Sequence, residues 1–95
     1  MSNKEKTREE PFVEEFNEVE GKEENSLVLH NDEVNTFDFV IDALMEVCGH
    51  DSIQAEQCAM IAHYNGKCAV KKGSISDLKP PYEEMTNRQL TVSIT

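Results

Sequence analysis

Cations are scarce in this chain of 95 residues: 9 Lys and Arg stand against 19 Asp and Glu, a formal net charge of −10. A surface of that sign repels nucleic-acid backbones and anionic membranes, which need clustered cations, so neither is expected as a partner. Long apolar runs are also missing, and nothing approaches the ~20 residues of a membrane span. The opening stretch MSNKEKTREE lacks the apolar segment of a secretory signal, and the expected location is cytoplasmic. Cysteine is limited to 3, an odd number without CxxC spacing. Free thiols in a reducing compartment explain that better than a disulfide framework. There is no Gly-rich phosphate loop, no internal repeat and no low-complexity segment. A chain of this length is one domain at most, with a small core and little stability to spare.

What is present divides in two. Residues 1–25 hold nine Glu and four Lys or Arg, and only Met1, Phe12, Val13, Phe16 and Val19 are apolar. Such a segment buries too little surface to offset its ordering entropy, so 1–25 is expected to be a disordered acidic N-terminal extension. The plain reading is a solubilising leader; the functional one is an arm, with Pro11–Phe16 as a possible docking patch. Residues 26–95 contain 31 apolar residues in 70, a normal fraction for a packed domain.

Within 26–95 the pattern predicts six elements. Ser26–Asn31 is a short apolar run and the first strand, broken by the turn-forming Asn31, Asp32 and Glu33. Asn35 is placed to cap a helix over Thr36–Cys48, with Phe37, Val40, Ile41, Leu44, Val47 and Cys48 on one face and Gly49 as its stop. Asp51, with Gln54 three residues on, caps a second helix ending near Asn65. Its inner face, Ala55, Cys58, Ala59 and Ala62, is built of small side chains. The short link between the helices favours an antiparallel pair. Lys67–Lys71 is a second strand and Asp77–Arg88 a third helix. Pro80 and Pro81 are tolerated only in a first turn, so this helix starts near Pro80 or opens irregularly. Leu90–Ile94 alternates as a half-buried strand. The order β-α-α-β-α-β predicts an α+β domain in which three helices cover one face of a small three-stranded antiparallel sheet.

Enzymatic chemistry finds little support in the residues. Cys58 and His63, five apart on one helix, point roughly 140° from each other and cannot act as nucleophile and base. Cys48, Cys58, Cys68, His30, His50 and His63 show no metal-ligand spacing, and the thiols read as small buried hydrophobes. No catalytic residue, metal or cofactor is expected. Two clusters stand out: Asn31-Asp32-Glu33 at the strand–helix junction, and Ala62-His63-Tyr64-Asn65-Gly66-Lys67 at the end of the second helix. A rigidly flanked, exposed junction suits binding groups, while Asn and Asp also favour turns for their own sake.

These segments resemble the ClpS adaptor family. Leu27-Val28-Leu29-His30-Asn31-Asp32-Glu33, then Phe39-Val40-Ile41-Asp42-Ala43-Leu44, then Ala62–Lys67, are similar to the family's "LVNDDxTPMEFVxxxL" and "HYxGK" motifs at the right separation. The resemblance runs without a gap from Leu27 to Lys67 and more loosely to Ile94. It implies an adaptor that recognises the N-terminal residue (Leu, Phe, Tyr or Trp) of N-degron substrates and delivers them to a Clp AAA+ unfoldase and its peptidase. By that resemblance Asn31, Asp32 and His63 surround the substrate α-ammonium. Asn35 lies at the pocket mouth, and Phe37, Val40, Ala59, Ala62 and Leu90 form the hydrophobic pocket. The implied partner is the N-terminal domain of an unfoldase of the ClpA or ClpC type, docked around Ser76, Lys79 and Tyr82, with the N-terminal extension assisting delivery. A monomer is expected. Here Asn35-Thr36-Phe37 stands where the family typically has Thr-Pro-Met, which reshapes the gate of the pocket. Two other readings stay open: an interaction scaffold resembling the C-terminal domain of the ribosomal stalk protein, and a thiol enzyme or metal protein.

Overall fold

The computed structural model describes residues 24–95. Six elements follow in the order β1 (Asn25–His30), α1 (Phe37–Cys48), α2 (Ser52–Asn65), β2 (Lys67–Gly73), α3 (Ile75–Asn87) and β3 (Val92–Ile94). This is the expected α+β arrangement of three helices and a three-stranded antiparallel sheet. The sheet order is β2-β1-β3, so β1 is the middle strand. Its Leu-Val-Leu run suits that place, since Leu27, Val28 and Leu29 are all buried. Leu27 and Leu29 join Leu44, Ala55, Ala62, Leu78 and Met85 in the core that the helices close over the sheet. One residue of β2 is extra: Leu27 pairs with Lys71 and Val28 with Ala69, which leaves Val70 as a bulge. Val70 turns into the core, and its carbonyl oxygen accepts from His50 Nε2 at 2.7 Å.

Local chemistry sets most boundaries. Asp51 caps α2 as expected, its carboxylate accepting from the Gln54 N–H at 2.7 Å. Gly49 and Gly66 end α1 and α2 with φ of +75° and +95°, a region that favours glycine. The cap of α1 is Thr36, not Asn35: Thr36 Oγ1 accepts from the Phe39 N–H at 3.1 Å. Asn35 is unavailable because its side-chain amide donates to Asp32 and to the Gln89 carbonyl. The third helix also departs from expectation. It begins at Ile75, capped by Ser74, whose hydroxyl accepts from the Asp77 N–H, and it carries Pro80 and Pro81 in its second turn. The two prolines take hydrogen-bond donors only from the exposed carbonyl-bearing residues Ser76 and Asp77. Meanwhile Leu78 and Met85, seven residues apart and both at 0% exposure, hold the helix to the core. β3 is shorter than the expected Leu90–Ile94, because Leu90 and Thr91 lead into it.

The expected boundary at residue 25 also shifts. Asn25 belongs to β1, pairs with Gly73 and donates from Nδ2 to the Thr95 carbonyl at 3.0 Å. The extension expected over 1–25 lies, for residues 1–23, outside the described residues. Among the described residues no helix is long and apolar enough to cross a membrane.

Candidate functional site

The end of β1 and the end of α2 are tied together by the backbone. The Asn31 N–H donates to the Gly66 carbonyl at 2.9 Å, and the His30 N–H to the Thr91 carbonyl at 2.8 Å. The first bond brings the Asn31-Asp32-Glu33 junction against the last turn of α2, where His63 sits. The second brings in the chain leading to β3, with Leu90.

Asp32 organises the junction. Its Oδ1 accepts from the Val34 N–H at 3.1 Å and the Asn35 N–H at 3.0 Å, and its Oδ2 from Asn35 Nδ2 at 3.1 Å and Thr91 Oγ1 at 3.3 Å. Desolvation opposes ionisation of this carboxyl, but the donors from Asn35, Val34 and Thr91 outweigh it and hold the group below its ordinary value. Asp32 is therefore a fixed negative charge whose lone pairs are largely occupied by its own loop. Asn31 and His63 are exposed. Asn31 Nδ2 reaches Glu33 Oε2 only at 3.5 Å. The His63 ring stacks edge-on to Tyr64, with centroids 4.8 Å apart and planes at 79°. Among the described residues no side chain is hydrogen-bonded to His63, so its acceptor nitrogen is available.

A cavity of about 470 Å³ opens between these groups, within the range of small-ligand pockets. All nine residues expected at the amine site, mouth and pocket line it: Asn31, Asp32, Asn35, Phe37, Val40, Ala59, Ala62, His63 and Leu90. Ala59, Ala62 and Leu90 are buried, Val40 half-buried, and Phe37 stands at the rim with 41% exposure. The small alanines of α2 leave the room that a larger side chain would fill. Leu90 is set in place by Gln89, which adopts φ +67°, and by its own N–H donating to the Met85 carbonyl at 3.0 Å.

Six further residues line the cavity: Leu29, His30, Glu33, Glu56, Met60 and Tyr64. Glu56, Met60 and His63 follow at helical spacing on α2, one turn each, and that periodicity is the signal that could have found them. The lining includes Asp32, Glu33 and Glu56 and no Lys or Arg. The cavity thus has an apolar floor and a negative, acceptor-bearing rim. Ser76, Lys79 and Tyr82 are elsewhere, on α3: the first two exposed, Tyr82 packed against the core. Cys48, Cys58 and Cys68 are free thiols outside the cavity lining. Cys48 is buried, but Cys58 and Cys68 are only half-buried, more open than small core hydrophobes would be. Among the described residues no group of three or more His, Cys, Asp or Glu side chains is placed to hold a metal ion.

The chain is similar to known proteins in sequence and in fold. The family model of the ATP-dependent Clp protease adaptor protein ClpS matches residues 20–92. An ATP-dependent Clp protease adapter protein ClpS from Pectobacterium carotovorum subsp. carotovorum (strain PC1) is 34% identical over 56 residues, 57% of this chain. The match spans about half, 53%, of that relative's length. Among solved structures, Agrobacterium tumefaciens ClpS2 bound to L-phenylalaninamide superposes with a TM-score of 0.72 at 19% identity, over 76% of this chain and 94% of that one. At that identity the likeness concerns the fold. A small α+β domain with a rimmed apolar cavity is thus the class to which fold and site assign the molecule. The chain belongs to the ClpS family of Clp protease adaptor proteins.

Proposed function

We propose that this chain is an adaptor that binds the N-terminal residue of N-degron substrates and hands them to a Clp AAA+ unfoldase and its peptidase. The observation that carries the reading is the cavity: an apolar floor beneath a rim of carboxylate and neutral acceptors, without Lys or Arg. A peptide N-terminus with a large apolar side chain is complementary to it. The α-ammonium has three donors and one positive charge, so it needs converging acceptors and a counter-charge. Asp32 supplies the charge and holds the loop, while the Asn31 amide oxygen and neutral His63 offer acceptors. Asn31 can serve the first peptide group as well. Burying a Leu or Phe side chain against Val40, Ala59, Ala62 and Leu90 contributes roughly 1.5–3 kcal/mol. Leu, Phe, Tyr and Trp are the proposed N-terminal residues. Phe37 is a stiff ring at the rim, and it selects against side chains branched at Cβ. The proposed partner is the N-terminal domain of a ClpA- or ClpC-type unfoldase, reached through α3 around Ser76, Lys79 and Tyr82.

A titration with two labelled peptides, one led by Phe and one by acetyl-Phe, tests the reading. The free amine should bind and the acetylated peptide should not, because acetylation removes the charge and two of the three donors. Equal affinities would favour an interaction scaffold without an amino-acid pocket.

A further inference from the structure

One N-terminal residue leaves much of the cavity unused. A Leu or Phe side chain, of four or seven carbon atoms, does not fill about 470 Å³, a volume in the range of pockets for drug-sized molecules. The charges do not balance either. Asp32, Glu33 and Glu56 line the cavity without any Lys or Arg, and the α-ammonium brings one positive charge, met by Asp32. Glu33 and Glu56 are both exposed, one on the β1–α1 junction and one on α2. Glu33 reaches the Asn31 amide only at 3.5 Å, and Glu56 makes no ion pair among the described residues.

The α2 helix joins this unmatched charge to an apolar surface. Glu56, Met60 and Tyr64 recur every four residues, so they form one stripe, and all three line the cavity. Met60 is 44% exposed and Tyr64 76%, at the mouth of a cavity whose floor is buried. Tyr64 adjoins His63 at the amine end. Glu56 lies seven residues before His63, which is two turns or about 10 Å of helix. Consecutive Cα atoms are about 3.8 Å apart, so the second residue of a peptide held by its amine at His63 has its Cα well short of Glu56. A short side chain there leaves the carboxylate unmet. Lys and Arg span the gap, with the methylene stem along Met60 and the charge at the end.

We propose that the cavity holds a second subsite, formed by Met60 and Glu56, which selects Lys or Arg as the residue that follows the N-terminal one. This rests on the function proposed above and extends it from one substrate residue to two. Met60 packs on the stem, and Glu56 pairs with the charge. Glu33 adds negative potential from the opposite element. An acidic second residue meets the same two carboxylates and is disfavoured. The acidity of the whole chain does not produce this preference. At physiological ionic strength charges more than about 8 Å away are largely screened, which leaves the carboxylates of the rim to decide.

The test is fluorescence anisotropy on the full chain at physiological salt, with four labelled peptides that differ only at the second residue: Phe-Arg, Phe-Met, Phe-Gly and Phe-Glu. Phe-Met carries an unbranched apolar side chain without the charge, and Phe-Gly has no side chain. Phe-Arg should bind about three- to fivefold more tightly than Phe-Met, the effect of one exposed ion pair. Phe-Met should bind more tightly than Phe-Gly, and Phe-Glu should bind most weakly. In Glu56→Gln the Phe-Arg to Phe-Met ratio should fall within twofold. In Met60→Ala the Phe-Met to Phe-Gly ratio should fall instead. Wild-type affinities for Phe-Arg and Phe-Met within twofold of each other overturn the subsite while leaving the proposed function intact. A ratio that survives Glu56→Gln overturns it too, by assigning the preference to the charge of the chain as a whole. Phe-Met no tighter than Phe-Gly overturns the role of Met60. Failure of all four peptides to bind overturns the proposed function, and the subsite with it.

Discussion

Asp32 combines two tasks that its neighbours separate. Its carboxylate holds the 32–35 loop through Val34, Asn35 and Thr91, and it supplies negative charge at the cavity rim. Asp32→Asn keeps the size and removes the charge, so N-terminal Leu and Phe peptides should bind roughly ten- to a hundredfold more weakly, about 1.5–3 kcal/mol. An affinity within twofold of wild type in fluorescence anisotropy would remove Asp32 from the site. The same residue predicts an acid limb of stability. The unfolded carboxyl titrates at its ordinary value of 3.8, and the folded one is held lower by its donors. Its contribution is therefore complete above that ordinary value and is lost as the pH falls through the lowered one. Urea midpoints of wild type and Asp32→Asn should converge as the pH is taken from neutral to about 3; a constant gap assigns the acid sensitivity elsewhere. His63 offers the rim a ring nitrogen that no other described side chain engages, so His63→Ala should bind Phe-led peptides several-fold more weakly; unchanged affinity would remove His63 from the site.

At the level of elements, the site depends on how helices end. Gly66 closes α2 at φ +95°, and its carbonyl receives the Asn31 N–H. A Cβ added there meets nothing within 4 Å, so the cost of Gly66→Ala is conformational rather than steric. It should destabilise the fold by about 1–2 kcal/mol and, by loosening the bond to Asn31, weaken peptide binding as well. A calorimetric melt and a peptide titration on the same variant separate these effects: loss of stability with intact affinity would mean that the Asn31–Gly66 bond does not position the rim. Helix starts were less legible than helix ends. Asn35 has the side chain of a cap and lies beside the true one. It is drawn away by Asp32 and by the Gln89 carbonyl, 54 residues on. The third helix was misplaced for a related reason. Proline propensity argues for a start at Pro80, but the Ser74 cap and the buried Leu78 and Met85 outweigh two missing backbone donors.

For the whole molecule, binding and delivery are proposed to reside in different parts of the chain. Every residue of the cavity lies between Leu29 and Leu90, while the acidic extension precedes β1. Deletion should stop at residue 23, because Asn25 pairs with Gly73 and bonds Thr95. A chain lacking residues 1–23 should keep its affinity for Phe-led peptides. It should also slow degradation of an N-degron substrate by the unfoldase–peptidase pair, as an acidic segment with few apolar residues is an element that an unfoldase can grip. Unchanged degradation at equal adaptor concentration would leave the segment a solubilising leader.

The element order, the helix faces and the α2 cap were legible because each rests on local periodicity or on a side chain within three residues of its backbone partner. The residues of the cavity were legible only through the resemblance of two motifs. Spacing alone left the Asn31 junction and the His63 turn as unrelated polar clusters more than thirty residues apart. The tertiary structure decided what joins them: the backbone bond from Asn31 to Gly66, the Gln89 turn that seats Leu90, and the carboxylate of Asp32 filled by donors from its own loop and from Thr91. It also decided that Glu56, Met60 and Tyr64 share the cavity. Hydrogen bonds and contacts between residues distant in the chain leave no trace in local spacing. They exist only once the sheet register and the helix packing have brought those residues together.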